Sequence, residues 1–273
     1  MGFFGKLFEK KECSICGGEI GLLGNRKLED GNMCKECASK LSPWFDDRRN
    51  STVEQINEQL VYREANKAEV DAFQTTRVFG ESTKIYMDED ARKFMVTSAK
   101  TPNDIKKANP DVIEFSAVTG CDLDINEHRR EITRTDKDGK AVSYNPPRYE
   151  YQYDFYVVIQ VRNPYFDDIR FKINADSVDI ESQAPQRMAS TGAGRFINGA
   201  TRSINPELSV EYRQYKNMGE EIKAALLQVR QESRDAAAAA AAPKAAVTCP
   251  YCGATTTPDE SGRCEYCGGA VND

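Results

Sequence analysis

The stretch Tyr149-Glu-Tyr-Gln-Tyr-Asp-Phe-Tyr-Val-Val-Ile-Gln-Val161 decides the fold of the middle of this chain. Aromatic or aliphatic side chains occupy every second position, and mostly polar side chains fill the positions between them. Successive side chains of a β-strand point to opposite faces of the sheet. The period of two therefore predicts one long antiparallel strand with a buried face and a solvated face.

Shorter stretches with the same alternation lie on both sides of this strand, between about residues 73 and 180. Turns are expected at Asp138-Gly139 and Asn163-Pro164. Cys121 shares a face with aliphatic side chains, so we expect a buried core thiol there. The pattern predicts a meander of about seven strands. The six shorter strands are predicted at Lys84–Met87, Lys93–Thr97, Val112–Val118, Cys121–Asn126, Glu131–Thr135 and Asp168–Asn174.

Helical patterns flank the predicted strands. Ser51-Thr52-Val53-Glu54 fits a capping box that opens a helix reaching about Ala72. Asn205-Pro206 supplies an N-cap and a first-turn proline for a long helix ending near Asp235. We expect its apolar stripe to close the open end of the sheet, with a partner-facing coiled coil as the alternative. The stripe consists of Leu208, Tyr212, Tyr215, Gly219, Ile222, Leu226 and Val229.

Eight of the nine cysteines form two quartets of paired CxxC motifs, one near each end of the chain. A CxxC turn directs two thiolates at one metal ion, and a second CxxC completes a tetrahedron. Four thiolates leave no coordination position open for water or substrate, so the spacing predicts two structural zinc sites. The predicted ligands are Cys13, Cys16, Cys34 and Cys37 in the first site, and Cys249, Cys252, Cys264 and Cys267 in the second.

Two other uses of CxxC remain as alternatives to zinc. Thiol–disulfide enzymes carry one such motif on a βαβ scaffold, whereas here the motifs come in pairs beside turn glycines. Iron sites of the rubredoxin type use the same ligands and a similar Cys-x-x-Cys-Gly turn. The spacing and the ligand set favour zinc over both.

Besides the closing helix, five stretches of the chain carry a resemblance to a known family. They are Met1-Gly-Phe-Phe-Gly-Lys-Leu-Phe-Glu-Lys-Lys11, Cys13-Ser-Ile-Cys16-Gly-Gly, Leu41-Ser-Pro-Trp-Phe45, Tyr62-Arg-Glu-Ala-Asn66 and Phe94-Met-Val-Thr97. In these stretches the chain resembles a family of bacterial proteins of unknown function that have an N-terminal four-Cys finger, a domain like the pleckstrin-homology (PH) domain and often a terminal zinc ribbon. Gln183–Asn205 departs from this family, because it carries arginines where the family tends to have an apolar, glycine-rich insert.

We therefore expect an α+β multidomain protein. Its core would be a PH-like antiparallel β-barrel or sandwich with a C-terminal helix, because about seven strands followed by one amphipathic helix is the order of elements in such domains. The predicted segments are a four-Cys zinc finger with a short amphipathic leader (1–50), a connecting helix (51–72), the PH-like domain (73–235), an alanine-rich linker (236–247) and a four-Cys zinc ribbon (248–273).

Composition excludes several classes of protein. The chain has 273 residues, 40% of them hydrophobic, which is enough for a globular core. It has no apolar stretch of the length of a transmembrane helix and no signal-peptide pattern, and its thiols are arranged for metal, so we expect a cytoplasmic protein. A net charge of −6 argues against a protein that binds nucleic acid mainly through phosphates.

Three segments are candidates for binding. Residues 1–11 combine phenylalanines with lysines and could lie on an anionic membrane surface. The segment Gln183–Asn205 carries Arg187, Arg195 and Arg202 and no acid, so it could meet a phosphate, a lipid headgroup or RNA. The C-terminal ribbon is acidic and tethered, which favours docking to a protein.

Catalytic motifs are absent from the sequence. The single histidine, His128, lies in the charged run Asn126–Glu131, predicted as an exposed turn or strand end, and no nucleophile motif accompanies it. We therefore expect a non-catalytic, zinc-stabilised adaptor that binds a protein partner of unknown identity. The alternative is a peripheral membrane protein that recognises anionic lipid through residues 1–11 and the segment 183–205, and nucleic-acid binding comes third.

Overall fold

The computed structural model describes residues 11–181, 205–241, 246–259 and 261–271. The chain divides into two compact units, Met1–Arg230 and Gln231–Asp273. The predicted leader before Lys11 and nearly all of the segment 183–205, including its three arginines, lie outside the described residues. No helix in the described part of the chain is long and apolar enough to cross a membrane.

The first unit begins with two small hairpins and a one-turn helix. Leu28 and Met33 are fully buried and form a small core together with Ile56 of the following helix. A 3₁₀ turn at Asp47–Asn50 leads out of this finger. The hairpins pair β1 (Lys11–Glu12) with β2 (Glu19–Ile20) and β3 (Arg26–Lys27) with β4 (Asn32–Met33), and the helix is α1 (Lys35–Ala38).

The connecting helix α2 spans Val53–Ala72. Its capping box lies one residue later than predicted: the N-cap is Thr52, whose side chain accepts a hydrogen bond from the backbone of Gln55. Ser51 instead donates its hydroxyl to the backbone oxygen of Asp47. The buried face of α2 is largely polar, since it consists of Ile56, Gln59, Arg63, Asn66 and Val70.

The β domain consists of two four-stranded antiparallel sheets. The first sheet has the order β5-β6-β7-β8, and a helix, α3 (Pro102–Ala108), connects its last two strands. The strands are β5 (Arg77–Gly80), β6 (Lys84–Asp88), β7 (Lys93–Thr97) and β8 (Ile113–Glu114). A 3₁₀ turn at Phe115–Ala117 ends this sheet and interrupts the strand that was predicted over Val112–Val118.

The second sheet is built around one long central strand. This strand, β10, pairs with β9 along one edge and with β11 and β12, one after the other, along the opposite edge. The bounds are β9 (Val118–Thr135), β10 (Ala141–Val161), β11 (Asp168–Lys172) and β12 (Val178–Glu181). The two strands predicted within 121–135 are therefore one continuous strand. The predicted turn at Asp138-Gly139 joins β9 to β10, with Gly139 at a φ of 79°.

One buried cluster joins both sheets. Alternate side chains of β10 from Tyr153 to Val161 are at most 4% exposed, as the period of two predicted, and Cys121 lies among them at 3%. The expected closed barrel is not present in the described part of the chain. The 3₁₀ turn between β8 and β9 breaks the strand, so no continuous strand joins the two sheets at this point.

The C-terminal helix is α4 (Val210–Ala241). The part of α4 that belongs to the first unit packs on this cluster. Tyr212 meets the rings of Tyr153 and Phe155 edge to face, with ring centroids 5.0 and 5.1 Å apart. Gly219 lies so close to Leu123 that a β-carbon there would collide with the leucine side chain. Leu208, predicted to belong to the stripe, is 75% exposed because it lies in a 3₁₀ turn before the helix starts.

The second unit ends in a small ribbon. Strands β13 (Val247–Thr248) and β14 (Thr255–Thr256) form a hairpin, and Arg263 forms an antiparallel bridge with Ala270. Among residues 246–259 and 261–271, the buried apolar cluster consists of Cys249, Cys264 and Val271. The ribbon therefore has almost no core apart from its cysteines.

Candidate metal centres

The eight predicted cysteines lie in two clusters. Within each cluster the four sulfur atoms are all within 4.8 Å of one another. The sulfur atoms of Cys16 and Cys34 are 3.9 Å apart in the first cluster. Zinc–sulfur bonds of about 2.3 Å in a regular tetrahedron place sulfur atoms about 3.8 Å apart. The spacing in the first cluster therefore fits a tetrahedral ion.

The first cluster is assembled from a turn and a helix end. Cys13 donates its backbone N–H to the oxygen of Gly18, and Gly17 donates to the oxygen of Cys13, which folds the CxxC segment into a tight turn between β1 and β2. Gly17 has a φ of 70°, a value that favours glycine. On the other side, Cys34 is the N-cap of α1, and its sulfur accepts from the backbone of Cys37 at 3.3 Å.

Backbone hydrogen bonds in the first cluster stabilise the thiolate form of Cys13, whereas the pKa values of Cys34 and Cys37 are raised. Three of its four cysteines are buried, which alone would raise their pKa values. For Cys13, burial is opposed by hydrogen bonds from the backbone of Cys16, Cys34 and Ile15, and the net effect lowers its pKa to about 6. The backbone N–H of Cys34 lies 3.3 Å from the Cys13 sulfur. Backbone donors aimed at sulfur are what a bound metal thiolate requires.

The second cluster repeats the same turn twice. The backbone N–H of Cys249 and that of Cys264 each donate to the backbone oxygen of the residue five positions later. Gly253 and Gly268 each donate their backbone N–H to the backbone oxygen of the cysteine four positions earlier. The φ values of Gly253 and Gly268 are 73° and 71°. The sulfur atoms of Cys252 and Cys264 are 3.7 Å apart, which again fits the edge of a zinc–sulfur tetrahedron.

The remaining predicted site residues lie apart from these clusters. His128 is exposed in the interior of β9, opposite Gln152, and not at the predicted turn or strand end. Cys121 is buried in the β-domain core, and burial raises its pKa to about 12. Of the two predicted lipid-binding segments, the structure describes only Lys11 and Asn205.

A buried polar network, which the sequence analysis missed, fixes the finger to the β domain. Arg63 of α2 forms an ion pair with Asp111 at 2.6 Å, and both side chains are almost inaccessible to solvent. Arg63 also donates to the backbone oxygens of Lys40, at 3.2 Å, and of Asn109. Ser42, at the end of the finger, donates its hydroxyl to the other carboxylate oxygen of Asp111 at 2.8 Å.

Two asparagines complete the network. Asn66 donates to the side chain of Asn109 and to the backbone oxygen of Pro110, both at 2.8 Å, and accepts from the backbone of Val112. Asn109 adopts the left-handed conformation with a φ of 48° and donates back to the oxygen of Arg63. One helix thus binds the segment after the first cysteine cluster and the loop before β8. In the sequence, Arg63 and Asn66 have the helical spacing of an ordinary solvated face, so they gave no distinct signal of this network.

Comparison with known proteins identifies a similarity over the finger. A family model described as "Domain of unknown function (DUF4428)" matches residues 11–59. The match includes all four cysteines of the first cluster and the first turns of α2, but it covers less than a fifth of the chain. Comparisons with curated proteins and with solved structures give no match.

Proposed function

We propose that this protein is a non-catalytic, zinc-stabilised adaptor that binds a protein partner through its C-terminal ribbon. The observation that carries the proposal is the pair of four-sulfur clusters. Because cysteine occupies all four tetrahedral positions in each, a bound zinc ion would have no open position for substrate. The ions would serve the fold, and the surfaces that they stabilise would serve binding.

The distribution of reactive groups supports a non-catalytic role. The thiol of Cys121, outside the clusters, is buried and its raised pKa keeps it protonated, so it is unsuited to nucleophilic attack. The imidazole of His128 is exposed on strand β9. The residue opposite it on β10 is Gln152, which is not a nucleophile. These placements favour a binding protein over an enzyme.

The finer assignment of the β domain as PH-like is part of this proposal. Its support is the order of elements, eight strands in two antiparallel sheets followed by a helix that packs on their shared core. Fold alone does not determine what such a domain binds. In the proposed adaptor, the β domain and the finger form a platform that is held together by the Arg63–Asp111 network.

The ribbon offers a surface suited to protein docking. Tyr251 and Tyr266 occupy equivalent positions, each directly before the second cysteine of its CxxC turn, and each is 72% exposed. Exposed tyrosines on a rigid turn provide contact area at little entropic cost and are enriched among residues that dominate binding energy. Within the described residues of the ribbon, Arg263 is the one cation, beside the acids Asp259 and Glu265, which disfavours nucleic acid.

The proposal is tested by comparing the proteins that co-purify with zinc-loaded variants of the full chain. We expect at least one protein to be recovered with the wild type and lost with both Tyr251→Ala/Tyr266→Ala and Cys264→Ser. The matched control is Leu208→Ser/Val210→Ser, which alters two exposed aliphatic residues of the first unit. If every co-purifying protein is recovered equally with the ribbon variants and the control, the ribbon is not the docking site.

A further inference from the structure

The loop between β2 and β3 presents two leucines to solvent without any packing partner. Leu22 is 82% exposed and Leu23 is 91% exposed, the highest values among the large apolar side chains of the described residues. The backbone of Gly24 donates to the oxygen of Gly21 at 2.9 Å, so the two leucines form the tip of a tight turn. Burial of both would remove a large apolar area from water.

Three arginines lie near the base of this loop, one on β3 and two on the 3₁₀ turn at Asp47–Asn50. The guanidinium of Arg26 lies next to the tip, where it donates to the backbone oxygens of Leu23 and Asn25 at 3.4 and 3.3 Å. Strand β3, which contains Arg26, packs against the 3₁₀ turn that carries Arg48 and Arg49. Burial, and then the charges of Arg26 and Arg49, lower the pKa of Arg48, so the three cations lie within electrostatic range of one another.

Two acids of this region, Asp30 and Asp47, form hydrogen bonds with other groups. Asp30 is used to accept a hydrogen bond from the backbone of Val53 at 2.8 Å. Asp47 accepts from the side chain of Asn50 at 2.6 Å. No ion pair joins Arg26, Arg48 or Arg49 to an acid elsewhere in the described ranges. Arg26, Arg48 and Arg49 therefore form a cationic cluster beside the apolar tip, in a protein whose net charge is −6.

We propose that this surface, formed by Leu22, Leu23, Arg26, Arg48 and Arg49 and called here the finger tip, binds an anionic lipid bilayer. The leucines enter the interface between headgroups and acyl chains, and the guanidinium groups hydrogen-bond lipid phosphates. A pair of fully exposed leucines at a convex tip fits a bilayer better than a protein, because the residues that dominate protein interfaces are aromatic or arginine residues in pockets and leucine is under-represented there.

This surface differs from the two segments that the sequence singled out for lipid binding, since it lies wholly on the finger. Lys11 is paired with Ile20 at the start of β1 and adds a further cation at the base of the loop. The finger tip lies in the first unit, so its binding is independent of the ribbon tyrosines proposed to dock a protein.

Flotation of the zinc-loaded full chain with vesicles tests the finger tip. We expect the wild type to float with phosphatidylcholine vesicles that contain about a third phosphatidylserine and to remain behind with pure phosphatidylcholine. Leu22→Ser/Leu23→Ser should lower the partition coefficient at least about tenfold, since each leucine contributes on the order of a factor of ten when it leaves water. Arg48→Gln/Arg49→Gln should lower it by about tenfold or more, since each basic residue near an anionic surface adds a comparable factor.

Two controls make the result decisive. Leu208→Ser/Val210→Ser removes another exposed aliphatic pair, 75% and 72% exposed, far along the chain and should float like the wild type. Each variant must retain two zinc ions, which shows that the finger remains folded. Raising the salt concentration to about 1 M should release the wild type, since the screening length falls to about 3 Å. Absence of wild-type flotation with anionic vesicles, or equal flotation of the leucine variant, overturns the proposal.

Discussion

The two cysteine clusters share their ligands and their turns but differ in what surrounds them. The first cluster lies beside a core that includes Leu28, Met33 and Ile56, and the chain that follows it enters the buried network of Arg63. Within the described part of the ribbon, Val271 is the one buried apolar residue that joins the second cluster besides its cysteines. The first cluster is thus part of a larger packed structure, whereas the ribbon depends on its own cysteine cluster for most of its stability.

This difference teaches that a metal site can have two structural roles in one chain. In the ribbon, folding and metal binding are expected to be the same event, because too little apolar surface is buried to order the chain. In the finger, the metal is expected to order a segment whose far end, at Lys40 and Ser42, supplies partners to Arg63 and Asp111. Loss of the first ion should therefore disturb the β domain as well.

The largest expected effect comes from breaking each cluster in turn. Cys264→Ser should unfold the ribbon, since small zinc modules draw ~10–16 kcal/mol of apparent stabilisation from the ion, but should leave the unfolding of the first unit unchanged. Cys34→Ser should lower the stability of the first unit. Limited proteolysis and thermal denaturation, with zinc content measured on each variant, check both results. Equal effects of the two substitutions on the β domain would remove the distinction between the clusters.

The next effect concerns the network that embeds the finger. Arg63→Met leaves the carboxylate of Asp111 buried without its cation and should cost about 3–5 kcal/mol of unfolding free energy. Arg63→Met/Asp111→Asn removes the stranded charge and should recover a measurable part of that loss. Denaturant unfolding of the first unit measures both. If Arg63→Met is as stable as the wild type, the network does not stabilise the attachment of the finger to the β domain.

The cysteine clusters and the buried polar network also differ in how well the sequence predicts them. The cysteine clusters and the buried face of β10 were predictable, because ligand spacing and a period of two are local patterns. The network was not, since Gln59, Arg63 and Asn66 resemble a solvated helix face until Asn109 and Asp111 lie opposite them. The charged run from Asn126 to Arg130 was interpreted as a break for the same reason: its pairing with β10 is a tertiary contact.

A smaller effect tests the platform to which the finger is attached. Gly219 faces Leu123, so Gly219→Val should overpack this contact and destabilise the first unit by about 1–3 kcal/mol. Asn217→Val changes an exposed position on the same helix and serves as the control. Zinc binding by the ribbon should be unaffected in both variants. If Gly219→Val and Asn217→Val are equally stable, the packing of α4 does not depend on the close contact between Gly219 and Leu123.

The smallest effect separates the finger from its supporting helix. Thr52→Ala removes the hydroxyl that caps α2 and should cost about 1 kcal/mol, whereas Thr52→Ser keeps the cap and should cost much less. Ile56, one turn beyond this cap, is fully buried in the core of the finger. Fraying of the helix should therefore also weaken zinc retention at the first cluster, measured as faster transfer of one ion to a chelator. Transfer from the second cluster should keep its rate, because the ribbon belongs to a different unit from α2. If both ions are lost at unchanged rates, the finger holds its metal independently of α2, and the two clusters are more alike than their surroundings indicate.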